Sequence, residues 1–359
     1  MTEFSAARFE AMGRRLEELL GSIGRPVTFM EVCGTHTVSI FRSGLRSLLP
    51  EGLRLLSGPG CPVCVTDQSE IDMALTLAEK DCVVLTYGDM LRVPGSSGSL
   101  LDLKSGGARV EVVTSAVQSL EIAHSRPDSQ VVFLGVGFET TAPATAVTLK
   151  QALLHGLSNL SVLCLHKTVP PILRALSSNP ALSVDGFVLP GNVTVVAGIE
   201  DYAFLTDELG VAAAVAGFEP EEILAALVDL SQQTATSRFR VSAYRMQEAP
   251  RRGNPVARRV LSEVFEPCEG RWRGLGSVPA SGCRLREKYR RFDALERFGL
   301  TPLPARENGC RCGDVLSGLL TPPECELYGT ACTPLNPVGP CMVSGEGTCG
   351  AWHRYRHHR

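Results

Sequence analysis

Two cysteines stand three apart in GPGCPVCVTDQSEI, residues 58–71, between a glycine-proline turn and the start of a helical pattern. Cys61 and Cys64 at this spacing suit a redox couple, half of a zinc site, or thiolate ligation of another metal. The field at a helix N-terminus contributes about 0.3–1 kcal/mol. That is less than one pKa unit at about 1.4 kcal/mol per unit, so a neighbouring cation or metal must complete the ionisation of either thiol. Upstream, EVCGTH supplies Cys33 and, three residues on, His36, the candidate source of that charge. A structural zinc needs two further ligands of matching spacing, and this region offers only Cys33, His36 and Cys82. A second concentration lies in the tail, where Cys310, Cys325, Cys332 and Cys349 follow C-x14-C-x6-C-x16-C, with Cys312 and Cys341 left between them. Six cysteines in Gly- and Pro-rich loops are the composition expected of an iron-sulfur domain, in which four thiolates hold a 4Fe-4S cubane and the backbone wraps it. Paired CxxC zinc knuckles are absent.

These residues must be carried by regular elements. From residue 27 to about 230, short apolar runs alternate with helical patterns, which predicts an α/β fold with parallel sheets. The expected strands are 27–32, 53–57, 82–87, 130–136, 161–165, 186–190 and 211–217. The clearest helices are 67–80, with Asp67 and Glu70 as a capping box, 143–155 with Pro143 in its first turn, and 219–232. A break at HSRPDSQ suggests two consecutive α/β domains, 1–125 and 126–245, followed by a C-terminal cluster domain, 246–359. CGTH (33–36), GPGCPVC (58–64), GDMLRVPGS (88–96), GFETTAP (137–143), HK (166–167) and LPGN (189–192) all follow predicted strands. Ligands of open parallel sheets bind at the carboxyl ends of the strands, so these six loops predict one shared cleft.

The chain of 359 residues can bury its cores without staples, so its thirteen cysteines are not needed for stability. No apolar run long enough to span a membrane is present, and the polar N-terminus lacks a signal-peptide core. A cytoplasmic location is expected, where clustered cysteines favour metal or thiol redox chemistry over structural disulfides. The net charge of -3 gives no general attraction to nucleic acid or membrane. Residues 251–298 depart from it, with twelve Arg or Lys against six Asp or Glu, as a solvated surface or a docking face for an acidic protein. Glu139 reads as a helix cap lining the cleft, Asp89 and Arg92 as an ion pair or as groups facing a ligand or partner, and His166 as structural or functional. Cys82, Cys164, Cys268 and Cys283 read as incidental thiols, and the terminal HRYRHHR as a solvated tail.

MEVCGTHTVSIFRSGLRSLLP, GPGCPVCVT, GDMLRVPGS, GFETTAP, LPGN and ECELYGTACTPLNPVGPCMVSGEGTCGAWHRY closely resemble the HypD family of nickel-iron hydrogenase maturation factors, in order from residue 25 to 355. The resemblance implies two similar α/β domains and a C-terminal cluster domain around a central cleft. It also implies a HypC-type chaperone with which an iron bearing two cyanides and one carbon monoxide is assembled, a HypE-type cyanide donor, and a hydrogenase large subunit served indirectly. Carried onto this chain, the essential thiols are Cys33, Cys61 and Cys64. The 4Fe-4S ligands are Cys310, Cys325, Cys332 and Cys349, and a cluster-side thiol pair is Cys312 and Cys341. Asn192 departs from the family's PGH histidine. Two functions follow as expectations: a redox scaffold for the iron unit, or an iron-sulfur-dependent protein disulfide reductase.

Overall fold

The computed structural model describes residues 6–243, 250–302 and 308–355. All seven expected strands form, as β1 (Val27–Glu31), β2 (Leu53–Ser57), β3 (Cys82–Thr86), β5 (Gln130–Gly135), β6 (Leu160–Cys164), β7 (Gly186–Pro190) and β8 (Ala212–Ala216). Two short edge strands join them, β4 (Val110–Val112) and β9 (Val241–Ala243). One parallel sheet has the order β2-β1-β7-β8-β9 and the other β4-β3-β5-β6. Residues of β3, β7 and β8 are buried throughout, which is why they read as unbroken apolar runs; helices cover both faces of such sheets.

The strands are not shared between the sheets as a consecutive division at residue 125 would have them. β5 and β6 pair with β3 and β4, while β7 crosses back to lie beside β1. The second sheet is thus inserted between two parts of the first. Local pattern could not reveal this, because a buried strand looks the same whichever sheet accepts it. The expected boundary at 245–246 lies outside the described residues.

The segment after 250 is more regular than its composition suggests. Asn254 caps the helix Pro255–Val264 through Val256 N–H and Ala257 N–H. β10 (Phe265–Trp272) and β11 (Gly276–Leu285) then form an antiparallel hairpin. Pro267, Gly270, Pro279 and Gly282 interrupt the two strands, which masked them in the sequence. The hairpin bridges to Thr66 through Trp272 and to Lys167 through Gly282, so it ties the two sheet units together. Loop-rich structure begins with the cysteine lobe at 308. Of the basic residues in 251–298, Arg258, Arg284 and Arg290 sit in exposed ion pairs with Asp201, Glu266 and Glu296, as a solvated surface requires. Residues 356–359 of the expected tail lie outside the described residues, and His353–Tyr355 end the helix Thr348–Tyr355.

Asp67 and Glu70 form the capping box of the helix Gln68–Ala78 as expected, with Glu70 accepting from Asp67 N–H at 2.9 Å. Glu70 does more than cap. Both of its carboxylate oxygens accept from Lys167 Nζ, at 3.0 and 2.7 Å, in a buried pair that joins the helix to the end of β6. Removing one member of a buried pair strands the other's charge. Lys167→Met should therefore cost about 3–5 kcal/mol in urea unfolding, and adding Glu70→Gln should restore most of it; equal losses in the single and double variants would count against the pair.

Candidate functional site

Strand β1 leads through Val32 to Cys33, which has extended backbone and stands at the N-cap of the helix Gly34–Arg42. Its geometry is fixed by Glu31. This buried carboxylate accepts from Cys33 N–H at 3.0 Å and from the Thr37 hydroxyl. Burial pushes Glu31 up from 4.5 to about 7, against the hydrogen bonds that favour its charged form. Burial likewise raises the Cys33 thiol to about 11, although the Thr35 and His36 amides at the helix start pull the other way.

Strand β2 leads to GPGC, where the chain passes so close to Cys33 that a Cβ at Gly60 would fall 2.2 Å from the Cys33 nitrogen. Glycine is required there by contact. Cys61 caps the short helix Pro62–Val65, accepting from Cys64 N–H at 3.3 Å, and the two sulfurs lie 2.6 Å apart. Both thiols are buried, and burial holds Cys64 well above the usual thiol range. Neither belongs to the long helix at 68; the capping box starts that helix after them.

His36 is not the expected cation. Its ring is fully buried, packs on Phe218 at 5.0 Å and donates from Nε2 to Gly217 O at 2.8 Å. Burial lowers its pKa to about 4, so it is neutral and leaves Nδ1 without a partner.

The cysteine lobe closes over the same corner. Thr35 donates to Glu346 at 2.7 Å, Ser344 to Asp89 at 2.8 Å, and Arg92 to Pro334 O at 2.6 Å. Asp89 and Arg92 are thus two anchors of the lobe. A Cβ at Gly34 would fall 2.5 Å from Glu346 O. Inside the lobe, Cys310, Cys312, Cys325, Cys332, Cys341 and Cys349 line one small cavity. Val338 N–H points at Cys332 Sγ at 3.4 Å, and a Cβ at Gly339 would intrude to 2.3 Å from Cys310 Sγ. The thiols continue outward in a row: Cys310 meets Cys312, Cys312 meets Cys341, and Cys341 meets Cys64. The structure therefore brings together Cys61, Cys64 and all six tail cysteines, with Cys33 at the adjoining loop. Among the described residues no group of three or more His, Cys, Asp or Glu is arranged around a point that one metal ion could fill. A soft donor set spread about a cavity fits a multi-iron cluster, in which each iron takes its own thiolate.

The shared cleft is divided. Val32, Val136, Phe138, Leu165 and Leu189, from the ends of both sheets, join Cys61, Cys64, Cys312 and Cys341 in one apolar cluster. Glu139 and Lys167, by contrast, line a separate cavity of about 460 Å³ with Asp201, Arg258 and Cys283. Glu139 caps the helix Val169–Ser177 by accepting from Val169 N–H at 2.8 Å; it does not cap the helix after its own loop. His166 is a satisfied structural residue, bonded to Thr145 Oγ1 at 2.9 Å and held at about 4 by burial. Cys82 is buried and directs its thiol to Leu77 O. Asn192 is exposed, and its Oδ1 accepts from the neighbouring Val193 N–H at 2.9 Å.

A sequence profile described as HypD, hydrogenase formation hypA family, matches residues 8–356. The chain belongs to the HypD family of hydrogenase maturation factors. It is similar to the hydrogenase maturation factor HypD of Rhodobacter capsulatus, 41% identical over 95% of this chain and 93% of that protein. The HypD of Cupriavidus necator is 43% identical over 92% and 90%, and that of Escherichia coli K12 41% identical over 97% and 94%. No helix among the described residues is long and apolar enough to cross a membrane. Glu31 and Glu346 were not legible as parts of a HypD thiol site; the only sequence signal for Glu31 is an acid at the inner end of an apolar strand.

Glu31 gives a pH prediction. A carboxyl raised in the fold contributes its full stability below its unfolded pKa and loses it as pH rises through about 7. Wild type should therefore lose stability relative to Glu31→Gln between pH 4.5 and 7, by about 1.4 kcal/mol per pH unit. Parallel urea titrations of the metal-free chains check this, and a constant difference across the range would exclude it.

Proposed function

We propose that this HypD-family chain is a redox-active scaffold on which, with a HypC-type chaperone, the iron unit of nickel-iron hydrogenase receives two cyanides and one carbon monoxide. The observation that carries the proposal is the row of thiols from the six-cysteine cavity to Cys64, ending beside Cys61 and the Cys33 loop. Cys310, Cys325, Cys332 and Cys349 hold a 4Fe-4S cluster, which supplies single electrons when bound. Cys312 and Cys341 stand between it and the Cys61–Cys64 pair. Cys33, Cys61 and Cys64, which do not converge on a single metal position in the chain alone, take up the incoming iron as substrate together with a cysteine of the HypC-type chaperone, because thiolates are soft donors suited to low-valent iron. Metal binding must displace the protons that burial keeps on Cys33 and Cys64, so loading releases protons and weakens as pH falls. The HypE-type protein delivers cyanide, and the hydrogenase large subunit receives the finished unit.

The same thiol row suits a cluster-dependent protein disulfide reductase. Turnover of a disulfide substrate without added iron would favour that reading, and infrared bands of iron-bound cyanide and carbon monoxide in the chain with its chaperone favour the scaffold.

Two sets of variants test the assignments. Anaerobic reconstitution of Cys325→Ala and Cys349→Ala should give chains deficient in cluster iron and sulfide, whereas Cys312→Ala and Cys341→Ala should keep a full complement. Full loading of the first two would reject the ligand set. Cys33→Ala should fold, keep its tail cluster and lose the cyanide and carbon monoxide bands together with hydrogenase maturation. Normal maturation by a folded Cys33→Ala chain would remove Cys33 from the iron site.

A further inference from the structure

Among the basic residues of segment 251–298, Arg273 is the one that is buried. Arg273, in the turn between β10 and β11, is only 7% exposed. Its backbone N–H donates to Val65 O at 2.9 Å, its Nε to Thr66 O at 2.9 Å, and its Nη1 to Gln68 Oε1 at 2.9 Å. All three acceptors are neutral. Nη2 is buried with no hydrogen-bond partner, and no carboxylate among the described residues forms an ion pair with the guanidinium. An isolated buried charge costs several kcal/mol, and arginine cannot escape that cost by losing its proton. A missing anion is the economical explanation.

The surroundings identify it. Gly274 and Gly313 cross so tightly that a Cβ on Gly274 would lie 2.1 Å from Gly313 Cα, so the backbone next to Arg273 touches the backbone next to Cys312. Cys310 and Cys312 both line the six-cysteine cavity, and Gly313 follows Cys312 directly. The charge is therefore fixed on Thr66 and Gln68, just beyond the CPVC segment, next to the Gly274–Gly313 contact that borders the six-cysteine cavity.

We propose that Arg273 is the built-in counter-charge of the cysteine lobe: it offsets the negative charge of the iron-sulfur centre and makes that centre easier to reduce. The inference rests on the cluster reading above. One-electron reduction by an external donor makes the centre more negative by one unit without forming or breaking a bond to the protein. A fixed cation behind the Cys312–Gly313 wall of the cavity stabilises that product more than the oxidised form. Arg273 is accordingly a positioning residue for charge, with no contact to substrate required of it.

The test uses the full chain reconstituted anaerobically with iron and sulfide. Dithionite titrations followed by electron paramagnetic resonance give the midpoint potential of wild type, Arg273→Gln and Arg273→Lys. Arg273→Gln should shift it to more negative values, and Arg273→Lys, which keeps the charge but not the planar fork, should remain near wild type. If Arg273→Gln takes up no cluster while Arg273→Lys loads fully at the wild-type potential, a counter-charge is equally supported. Equal potentials in all three chains would overturn the proposal. So would equal shifts in both variants, or loss of cluster from both, since each would trace the effect to the hydrogen bonds to Thr66 and Gln68. A wild-type chain that takes up no cluster overturns the functional reading itself, an outcome distinct from a loaded wild type whose potential ignores Arg273.

Discussion

The site depends on three backbone segments approaching within van der Waals contact at one corner of the molecule. Residues 31–34, 58–61 and 344–347 meet there, and the meeting is possible only because positions 34 and 60 carry no Cβ. Glu31 holds the first segment from below, Thr35 clasps Glu346 from above, and Asp89 and Arg92 extend the clasp to the neighbouring sheet unit. Loosening this corner would separate Cys33 from Cys61 and break the row from Cys64 to Cys341. Large side chains could not be accommodated by small adjustments, because the atoms they would meet are backbone.

Burial then sets the chemistry. Cys33 and Cys64 are kept protonated by desolvation, and the one imidazole beside them is kept neutral for the same reason. Such a pocket is chemically quiet until a metal replaces the protons. A solvent-exposed CxxC at a long helix start would behave otherwise, with a freely ionising nucleophile. The short helix Pro62–Val65 and the lid of tail cysteines prevent that.

Much of this was legible in the sequence, for identifiable reasons. The seven main strands are apolar and β-branched, so their runs stood out, and the chemistry-bearing loops could be placed at their ends. The Asp67–Glu70 capping box is a local motif and was recovered intact. What failed to show was long-range or contrary to residue type. Pairing of β7 with β1 leaves no local trace, and the hairpin Phe265–Leu285 hides behind prolines and glycines that argue against strands. Histidine was the natural choice for a cation near thiols, yet burial neutralises it; arginine was assigned to the surface by habit of type, yet Arg273 is interior. Glutamate at position 31 was hidden by the same rule.

The interleaving of the two sheets has a consequence during synthesis. β1 and β2 emerge first, but the sheet that holds them cannot close until β7 and β8 follow the whole of the second sheet unit. The lid over Cys61 and Cys64 comes later still, with Cys341. At translation rates of about 5–20 residues per second, the CPVC pair spends roughly 15–60 s without its cover. During that interval the nascent chain carries two adjacent, solvent-accessible thiols on an incomplete sheet edge, the moment at which oxidation or capture by a holding chaperone competes with closure.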